Sequence, residues 1–218
     1  MVLPMPILMP ASTSGSVQSL QSRSASLNDV AALAHPTRLA ARLDPELSAT
    51  TLVQLQKHPR LQSRLAELLL DNELHASGSN WEPDLLGGRD PQRVALLAGS
   101  VWHARSLLKL VSKSDLAVLA EHIGADAHAF GIRHLAHAIA LANAPIADPE
   151  QLAQQINHDG HACLGAWLND STALGRKRVL LRLPLGTAAE SPSPEHSKAS
   201  GRLVSLVLTQ LGAENRAT

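Results

Sequence analysis

Residues 90–139 decide the fold of this chain, and their sequence is DPQRVALLAGSVWHARSLLKLVSKSDLAVLAEHIGADAHAFGIRHLAHAI. Asp90 stands before Pro91, an order in which the carboxylate can cap free backbone amides and the proline fills the first helical position, where its missing N–H needs no partner. Apolar residues then recur at steps of three and four, which places them on one side of a helix; they are Val94, Leu97, Ala98, Val101, Leu108 and Val111. The pattern predicts a first helix whose apolar side turns towards a core.

Two more helices follow the first at short intervals. Ser112 and Asp115 lie three residues apart and form a variant of the capping box, and Gly124 is a typical helix end. The apolar side of the second helix consists of Leu116, Leu119, Ala120 and Ile123, and that of the third of Ile132, Leu135, Ala136 and Ile139. Helices joined by such short turns must pack against one another to bury these sides, so the stretch predicts a helical core without a reaction centre.

Helical signals continue on both sides of this core. Asp44-Pro45 and Asp148-Pro149 repeat the Asp-Pro start, and Asp159-Gly160 predicts a bend or a division in the helix that follows. We expect a mainly α protein with a single helical domain, a short C-terminal β element and a final helix. The predicted boundaries are a disordered Ser-rich leader at 1–26, the helical domain at 27–186, a flexible linker at 187–200 and a C-terminal helix packed on the domain at 201–218.

The expected β element covers residues 176–186, RKRVLLRLPLG. Apolar and basic residues alternate in it, which is typical of a strand, and Pro184 restricts that strand to the edge of a sheet. The basic residues are Arg176, Lys177, Arg178 and Arg182. They serve either to prevent edge pairing, the preferred interpretation, or to dock a partner protein. Trp81, on a loop, is either packed under that loop or exposed as a partner anchor, and packing is preferred because large aromatic side chains are usually buried.

The composition excludes several classes of protein. Lys plus Arg and Asp plus Glu both number 19, so the chain lacks the basic character of a general nucleic-acid binder or a membrane-surface protein. One Phe, no Tyr and three Trp leave little on which bases could stack. No apolar run approaches the roughly 20 residues of a membrane-spanning helix, and a single cysteine fits a reducing compartment. We expect a cytosolic protein that neither binds nucleic acid nor inserts into a membrane.

Candidate chemistry is confined to histidine pairs and one thiol. His134 and His137 share a helix face, and His158 and His161 form a second pair. A closed zinc site usually needs four ligands with supporting groups, so the ligand count falls short. Cys163 lies among small apolar residues, where an inert core thiol is expected. We therefore predict no catalytic residue, no cofactor and no metal.

Several segments together resemble the SctK family, the YscK, PscK and HrpD-like accessory proteins of bacterial type III secretion systems. Residues 178–186, RVLLRLPLG, are similar to the carboxy-terminal hallmark of that family. The other segments occur in matching order between about residues 27 and 211, namely His35-Pro36-Thr37-Arg38-Leu39, Trp81-Glu82-Pro83, Arg93-Val94-Ala95-Leu96-Leu97-Ala98-Gly99 and Ile123-Gly124-Ala125-Asp126-Ala127-His128-Ala129-Phe130. Their order and spacing carry the resemblance.

The resemblance implies a structural role. SctK proteins belong to the cytosolic sorting platform beneath the injectisome, where they connect the pod protein SctQ, and through it SctL and the ATPase SctN, to the cytoplasmic domain of the inner-membrane ring protein SctD. They have no cofactor. By this resemblance the chain is expected to be a non-enzymatic cytosolic adaptor, recruited to the cytoplasmic face of the inner membrane and required for protein secretion.

Two other classes stay open at this point. A secreted effector would explain the Ser-rich amino terminus, and deletion of residues 1–26 would then abolish its export. A small helical enzyme would have to gather scattered His and Asp residues in one pocket, or bind a metal.

Overall fold

The computed structural model describes residues 29–71, 83–139 and 148–217, and all regular secondary structure in those ranges is helical. The expectation of a mainly α fold is confirmed. The helices are α1 Pro36–Arg42, α2 Ala49–Lys57, α3 Pro59–Leu70, α4 Pro91–Trp102, α5 Ala104–Leu107, α6 Lys113–Ile123, α7 Ala125–Arg133, α8 Pro149–Leu168, α9 Ala173–Leu181, α10 Pro194–Ser197 and α11 Ser200–Ala217, with a 3-10 turn at Leu135–His137. The predicted leader at 1–26 lies outside the described residues.

The centre of the protein is the contact between α4 and α8, the most extensive between any two of these helices. A Cβ on Gly99 of α4 would lie 1.9 Å from the Ile156 carbonyl oxygen, and one on Gly160 of α8 would lie 2.1 Å from the Ala95 carbonyl oxygen. The two backbones therefore touch directly, an approach that only glycine permits. The predicted bend at Asp159-Gly160 is wrong, because the glycine serves this close contact and α8 runs unbroken over 20 residues.

The main hydrophobic core surrounds this crossing. α7 packs on α4, α6 packs on α8, and α11 contacts both α4 and α8. The fully buried large side chains of this core are Leu86, Leu97, Leu107, Leu119, Leu152, Ile156, Leu164, Leu168, Leu183 and Leu203. Within the described ranges, none of the helices combines the length and the apolar character needed to cross a membrane.

The first predicted helix is shorter than expected, because α4 ends one residue before His103. His103 adopts φ −94° and ψ 15°, its imidazole lies 2.7 Å from the Asp159 carboxylate of α8, and the chain turns there. The short α5 begins after this turn, and its side chains point in other directions than they would if α4 continued without a break. Leu107 is consequently buried, whereas Leu108 is 49% and Val111 is 85% exposed. The assignment of these last two residues to the buried side of the helix is therefore wrong.

Two of the Asp-Pro helix starts are confirmed. The carboxylates of Asp90 and Asp148 each accept a hydrogen bond from the backbone amide two residues further on. At Asp44 the carboxylate closes a turn instead, and α2 begins only after Ser48, so the start predicted there is wrong. Gly124 ends α6 with a φ of 83°, as predicted from its freedom to adopt that conformation.

A second hydrophobic cluster lies among the N-terminal helices. It contains buried side chains from residues 30–70 together with Leu174 and Leu181 of α9. Val179 of the same helix, and Leu183 just beyond it, belong to the main core. α9 therefore lies between the two clusters and buries residues on two sides.

The predicted strand at 176–186 is wrong, since residues 173–181 form α9 and the described ranges contain no strand. The alternation arises because Leu174 and Leu181 face one cluster while Val179 faces the other. Thr172 caps the helix by accepting a hydrogen bond from the Gly175 N–H at 3.1 Å. A helix buried on two sides lacks the single apolar stripe by which a surface helix is identified.

The segment 187–200, predicted to be a flexible linker, lies against the main core. Ala189 is fully buried, and its carbonyl oxygen would lie 2.2 Å from a Cβ on Gly165. His196 of α10 is also buried, and α11 then packs on α4 and α8. A small residue packed on a glycine leaves no periodic signal in the sequence, which is why this contact was not expected.

Candidate functional site

The basic residues predicted to guard an edge or to dock a partner lie on α9 and just beyond it, and all are partly buried. Arg176 donates to the backbone carbonyl of Glu190 at 3.4 Å. The Lys177 ammonium donates to the backbone carbonyl of Leu70 at 2.9 Å and lies 3.3 Å from the Asp71 carboxylate. These bonds attach α9 to the end of α3 on one side and to residue 190 on the other.

Arg182 has only 13% of its side chain exposed. Its guanidinium lies 3.3 Å from the Asp84 carboxylate and donates to the backbone carbonyl of Arg89. Arg178 lies on α9 itself, and Trp81 lies outside the described residues. Three of the four basic residues thus hold α9 in place, and a docking role for the segment stays a prediction.

Two distant parts of the chain meet at what we call the junction, formed by residues 35–38 at the start of α1 and residues 181–190 after α9. The His35 N–H donates to the Leu181 carbonyl oxygen at 2.8 Å. The segments 35–39 and 178–186, which both carry the resemblance to the SctK family, are therefore in contact.

Arg38 is the centre of the junction. Its guanidinium donates to the carbonyl oxygens of Leu183 and Pro184 at 3.0 and 3.1 Å and forms a 2.7 Å ion pair with Glu190. The same carboxylate accepts from the Gly186 N–H at 2.8 Å, where a φ of 78° turns the chain. The planar arginine fork thus satisfies two carbonyls and one carboxylate at once, which a lysine ammonium does not match in geometry.

A second polar cluster lies at the edge of the main core around Asp159 of α8, where the side chains of His103 and His196 are buried and that of His158 is exposed. His103 Nε2 lies 2.7 Å from one carboxylate oxygen, and His158 Nδ1 lies 3.0 Å from the other. The His196 ring stacks on Trp102 with the ring centroids 4.7 Å apart, and its Nε2 lies 3.3 Å from Asp159. Three histidines from separate parts of the fold therefore surround one carboxylate.

These surroundings keep Asp159 ionised. Burial raises the pKa of its carboxyl group. Hydrogen bonds from His103 and His158, together with the charges of His103 and His196, lower that pKa by more than burial raises it, and the result is about 2. Burial, and secondly the charge of Asp159, raise the pKa of the Cys163 thiol to about 12. A thiol with that pKa is not a nucleophile at neutral pH, because the reactive species is the thiolate.

Ser193, His196 and Asp159 form a serine–histidine–carboxylate series. The Ser193 hydroxyl lies 2.7 Å from His196 Nδ1. The contact between His196 and Asp159 is not directed along an N–H bond, because His196 Nε2 makes no hydrogen bond within the described part of the chain. Ser193 directly precedes α10, a helix of four residues, so its bond to a side chain three positions on is a local contact at a helix start. The series explains how His196 is positioned without requiring a reaction.

A cleft of about 780 Å³ lies between α4, the end of α6, α8 and residues 184–188. Its lining carries both charges and includes Asp90, Arg93, His122, Glu150, His158 and His161. His161 donates from Nδ1 to the Asn157 carbonyl oxygen at 2.7 Å. Burial is the main cause that lowers the pKa of His161, so its ring is neutral at pH 7. The cleft is thus polar. It brings three histidines together with Asp90, as the enzyme alternative requires, and its lining includes the hydroxyl of Thr187 but no serine or cysteine.

The predicted histidine pairs do not come together as a metal site. The rings of His134 and His137 have centroids 6.3 Å apart, and His158 and His161 bind different partners. Over residues 29–71, 83–139 and 148–217, no group of three or more His, Cys, Asp and Glu is spaced to hold a metal ion. That the protein needs no metal stays a prediction, which the metal content of the untagged protein and its melting temperature with a chelator would test.

Nothing in the sequence indicated the Asp159 cluster. His103 is 56 residues away from Asp159 and His196 lies on another helix, so no spacing rule connects them. Only the adjacency of His158 and Asp159 is visible in the sequence, and adjacent residues on a helix do not share a face.

The chain is similar over its whole length to nodulation proteins. It is 66% identical over 215 residues to the nodulation protein NolU of Sinorhizobium fredii (strain NBRC 101917 / NGR234), a match that covers 99% of this chain and 100% of the relative. The identity and both coverages are the same for the nodulation protein NolU of Rhizobium fredii. No protein-family model matches the chain, and neither does a solved structure.

Proposed function

The chain belongs to the family of the NolU nodulation proteins, and on that premise we propose that it is a non-enzymatic adaptor of a bacterial type III secretion system. In this role it is part of the cytosolic sorting platform. It links a SctQ-like pod protein, and through it SctL and the ATPase SctN, to the cytoplasmic domain of a SctD-like inner-membrane ring protein. It is recruited to the cytoplasmic face of the inner membrane and is required for protein secretion, without a cofactor.

The observation that carries the proposal is the ordered set of segments that resemble the SctK family, in a chain that matches nodulation proteins from end to end. The junction adds support, since two of those segments are bonded to each other through Arg38. The candidate chemical groups add further support. The Asp159 carboxylate is hydrogen-bonded to His103 and the Cys163 thiol is buried, so neither group is free to react with a substrate.

The direct test is binding between purified proteins of one bacterium. The full-length, untagged chain is titrated against the SctQ-like protein and the SctD-like cytoplasmic domain, first separately and then together. An adaptor binds each protein and holds both in one complex that elutes as a single species. A chain that binds neither, or for which the two proteins compete, contradicts the proposal.

A test in the bacterium separates the adaptor from a secreted effector. Deletion of the gene should stop the export of type III substrates, and a chain that lacks residues 1–26 should restore it. A secreted effector gives the opposite result. The chain itself is then exported, its export is lost when residues 1–26 are deleted, and other substrates are exported normally in the gene deletion.

A further inference from the structure

We propose that the corner between α4 and α6 is a docking surface for an acidic, partly apolar surface of another protein. We name it the basic corner, and it consists of the exposed residues Arg105, Leu108, Lys109, Val111 and Lys113. The proposal rests on the proposed function for the choice of partner proteins in the test, but not for the position of the surface.

The two aliphatic side chains of the basic corner are uncovered among the described residues. Val111 is 85% exposed, more than any other large hydrophobic residue in the described ranges. Leu108, three positions earlier, is about half exposed. A single exposed aliphatic residue is ordinary on a protein surface, but neighbouring ones with charges around them are typical of an interaction site.

The fold holds the basic corner firmly. Leu107 and Leu110 are buried in the main core, so the residue directly before each exposed aliphatic is anchored. The N–H groups of Ser106 and Leu107 both donate to the His103 carbonyl oxygen, at 2.8 and 3.1 Å. A surface that is already ordered loses little conformational entropy when a partner binds.

The charges of the basic corner indicate the chemistry of the partner. Arg105, Lys109 and Lys113 have no carboxylate within 4.0 Å among the described residues. Other cations of the chain do form ion pairs, including Arg38, Arg42, Arg64, Arg93, Lys177 and Arg182. Unpaired cations so close together, in a chain of zero formal net charge, create a local positive field that complements carboxylates.

A protein fits the basic corner better than a membrane or a nucleic acid. α5 has four residues, too few for an amphipathic helix in a bilayer surface, and two aliphatic side chains bury too little to anchor there. Phosphate contacts gain nothing from Val111, and the corner carries no aromatic residue on which a base could stack. Carboxylates around an apolar pocket use both the cations and the aliphatic side chains.

The test compares two double variants in the full-length chain. Arg105→Glu with Lys109→Glu reverses the charge, and Leu108→Ser with Val111→Ser removes the apolar contact. Each should weaken binding to the SctQ-like protein or the SctD-like domain by at least about tenfold, with an unchanged circular dichroism spectrum. Added salt should weaken binding of the wild type more than binding of the charge-reversed variant.

Matched controls come from the exposed surface of the N-terminal helices. Lys57→Glu with Arg60→Glu, and separately Leu61→Ser, change exposed residues of the same types on α2 and α3. These controls should bind as the wild type does. Equal losses in the controls, unchanged binding by both corner variants, or binding of the wild type to phosphatidylserine vesicles that the charge reversal abolishes, would each overturn the proposal.

A wild type that binds neither protein contradicts the adaptor role, and the basic corner is then judged separately. A photo-reactive amino acid at position 111 is cross-linked in living cells, and any protein captured is purified and titrated with the wild type and the charge-reversed variant. Binding that the charge reversal weakens about tenfold keeps the proposal. The absence of a cross-linked protein, or equal binding by the two chains, overturns it.

Discussion

At the scale of single residues, the packing of α4 on α8 depends on two glycines, Gly99 and Gly160, which have no side chain. Gly99→Ala and Gly160→Ala should each destabilise the protein by about 1–3 kcal/mol or more, because a Cβ at either position overlaps a backbone carbonyl and the helices must move apart. Urea unfolding of the purified variants measures the change. Gly201→Ala is the control: it lies in α11 with nothing within 4 Å of a Cβ, and alanine there should be neutral or stabilising. Equal stability in all three variants would show that the crossing is looser than described.

His161 should make stability depend on pH in a direction that follows from its burial. Its pKa is lowered in the fold from the ordinary 6.5, so the neutral ring contributes stability that is present above that pH and is lost as the pH falls through the lower value of the folded state. His161→Gln removes the titration. The wild type should lose more stability than this variant between pH 7.5 and pH 5, whereas exposed His58→Gln should follow the wild type. The same pH dependence in wild type and His161→Gln would contradict the burial of this ring.

Asp159 contributes to the pH dependence of stability at more acidic pH than His161 does. Its carboxylate contributes stability that is present above the ordinary pKa of 3.8 and is lost as the pH falls towards 2. Asp159→Asn should cost about 1–3 kcal/mol at pH 7, because it removes the charged partner of the buried His103. Denaturant melts should show the gap between wild type and variant closing below pH 3.8. A gap that stays constant down to that range would mean that the charge of Asp159 is not what stabilises the cluster.

At the scale of elements, the break after α4 decides which leucines of the corner are structural. Leu107→Ala should destabilise by about 2–5 kcal/mol, the usual cost of truncating a buried leucine, and so should Leu97→Ala in α4. Leu108→Ala, one position on, should change the free energy of unfolding by less than about 0.5 kcal/mol because the side chain is half exposed. Urea melts of the three variants test this. A large effect of Leu108→Ala would show that Leu108 is buried, as predicted for a first helix without a break.

Much of the helical plan could be predicted from the sequence, because local chemistry decides it. Asp90 and Asp148 cap helices with their own side chains, and Gly124 ends one through its own φ angle. The Ser112–Asp115 capping box was wrong because the Ser112 hydroxyl bonds to Ser114 instead. Local competition of this kind is invisible in a residue pattern.

What could not be predicted depends on distant partners. The turn at His103 is tied to a carboxylate 56 residues away, and α9 resembles a strand because two separate clusters cover it. In the candidate site too, residue types could be predicted from the sequence but their contacts could not. Arg182 was identified as basic, but its engagement with Asp84 follows from tertiary packing and not from the run of charges around it.

At the scale of the whole molecule, Arg38 connects the N-terminal helices to the main core. Arg38→Lys should destabilise by about 1–3 kcal/mol, since one ammonium cannot reach every oxygen that the guanidinium binds and buried carbonyls lose their donors. Arg64→Lys, in an exposed pair with Glu67, should be close to neutral. Denaturant melts give the free energy, and hydrogen exchange should show residues 29–71 opening first in Arg38→Lys. Equal protection of those residues in both variants would contradict the role of Arg38.

The position of α9 between two clusters also has a consequence for the synthesis of the chain on the ribosome. Arg38 and its partner Leu183 are 145 residues apart, and at about 5–20 residues per second the second is made on the order of 10 s after the first. In the later part of that interval the N-terminal helices have been synthesised, whereas Leu174 and Leu181, which complete their cluster, have not yet been translated. We therefore expect the nascent protein to expose an incomplete apolar surface until residues 174–181 have left the ribosome.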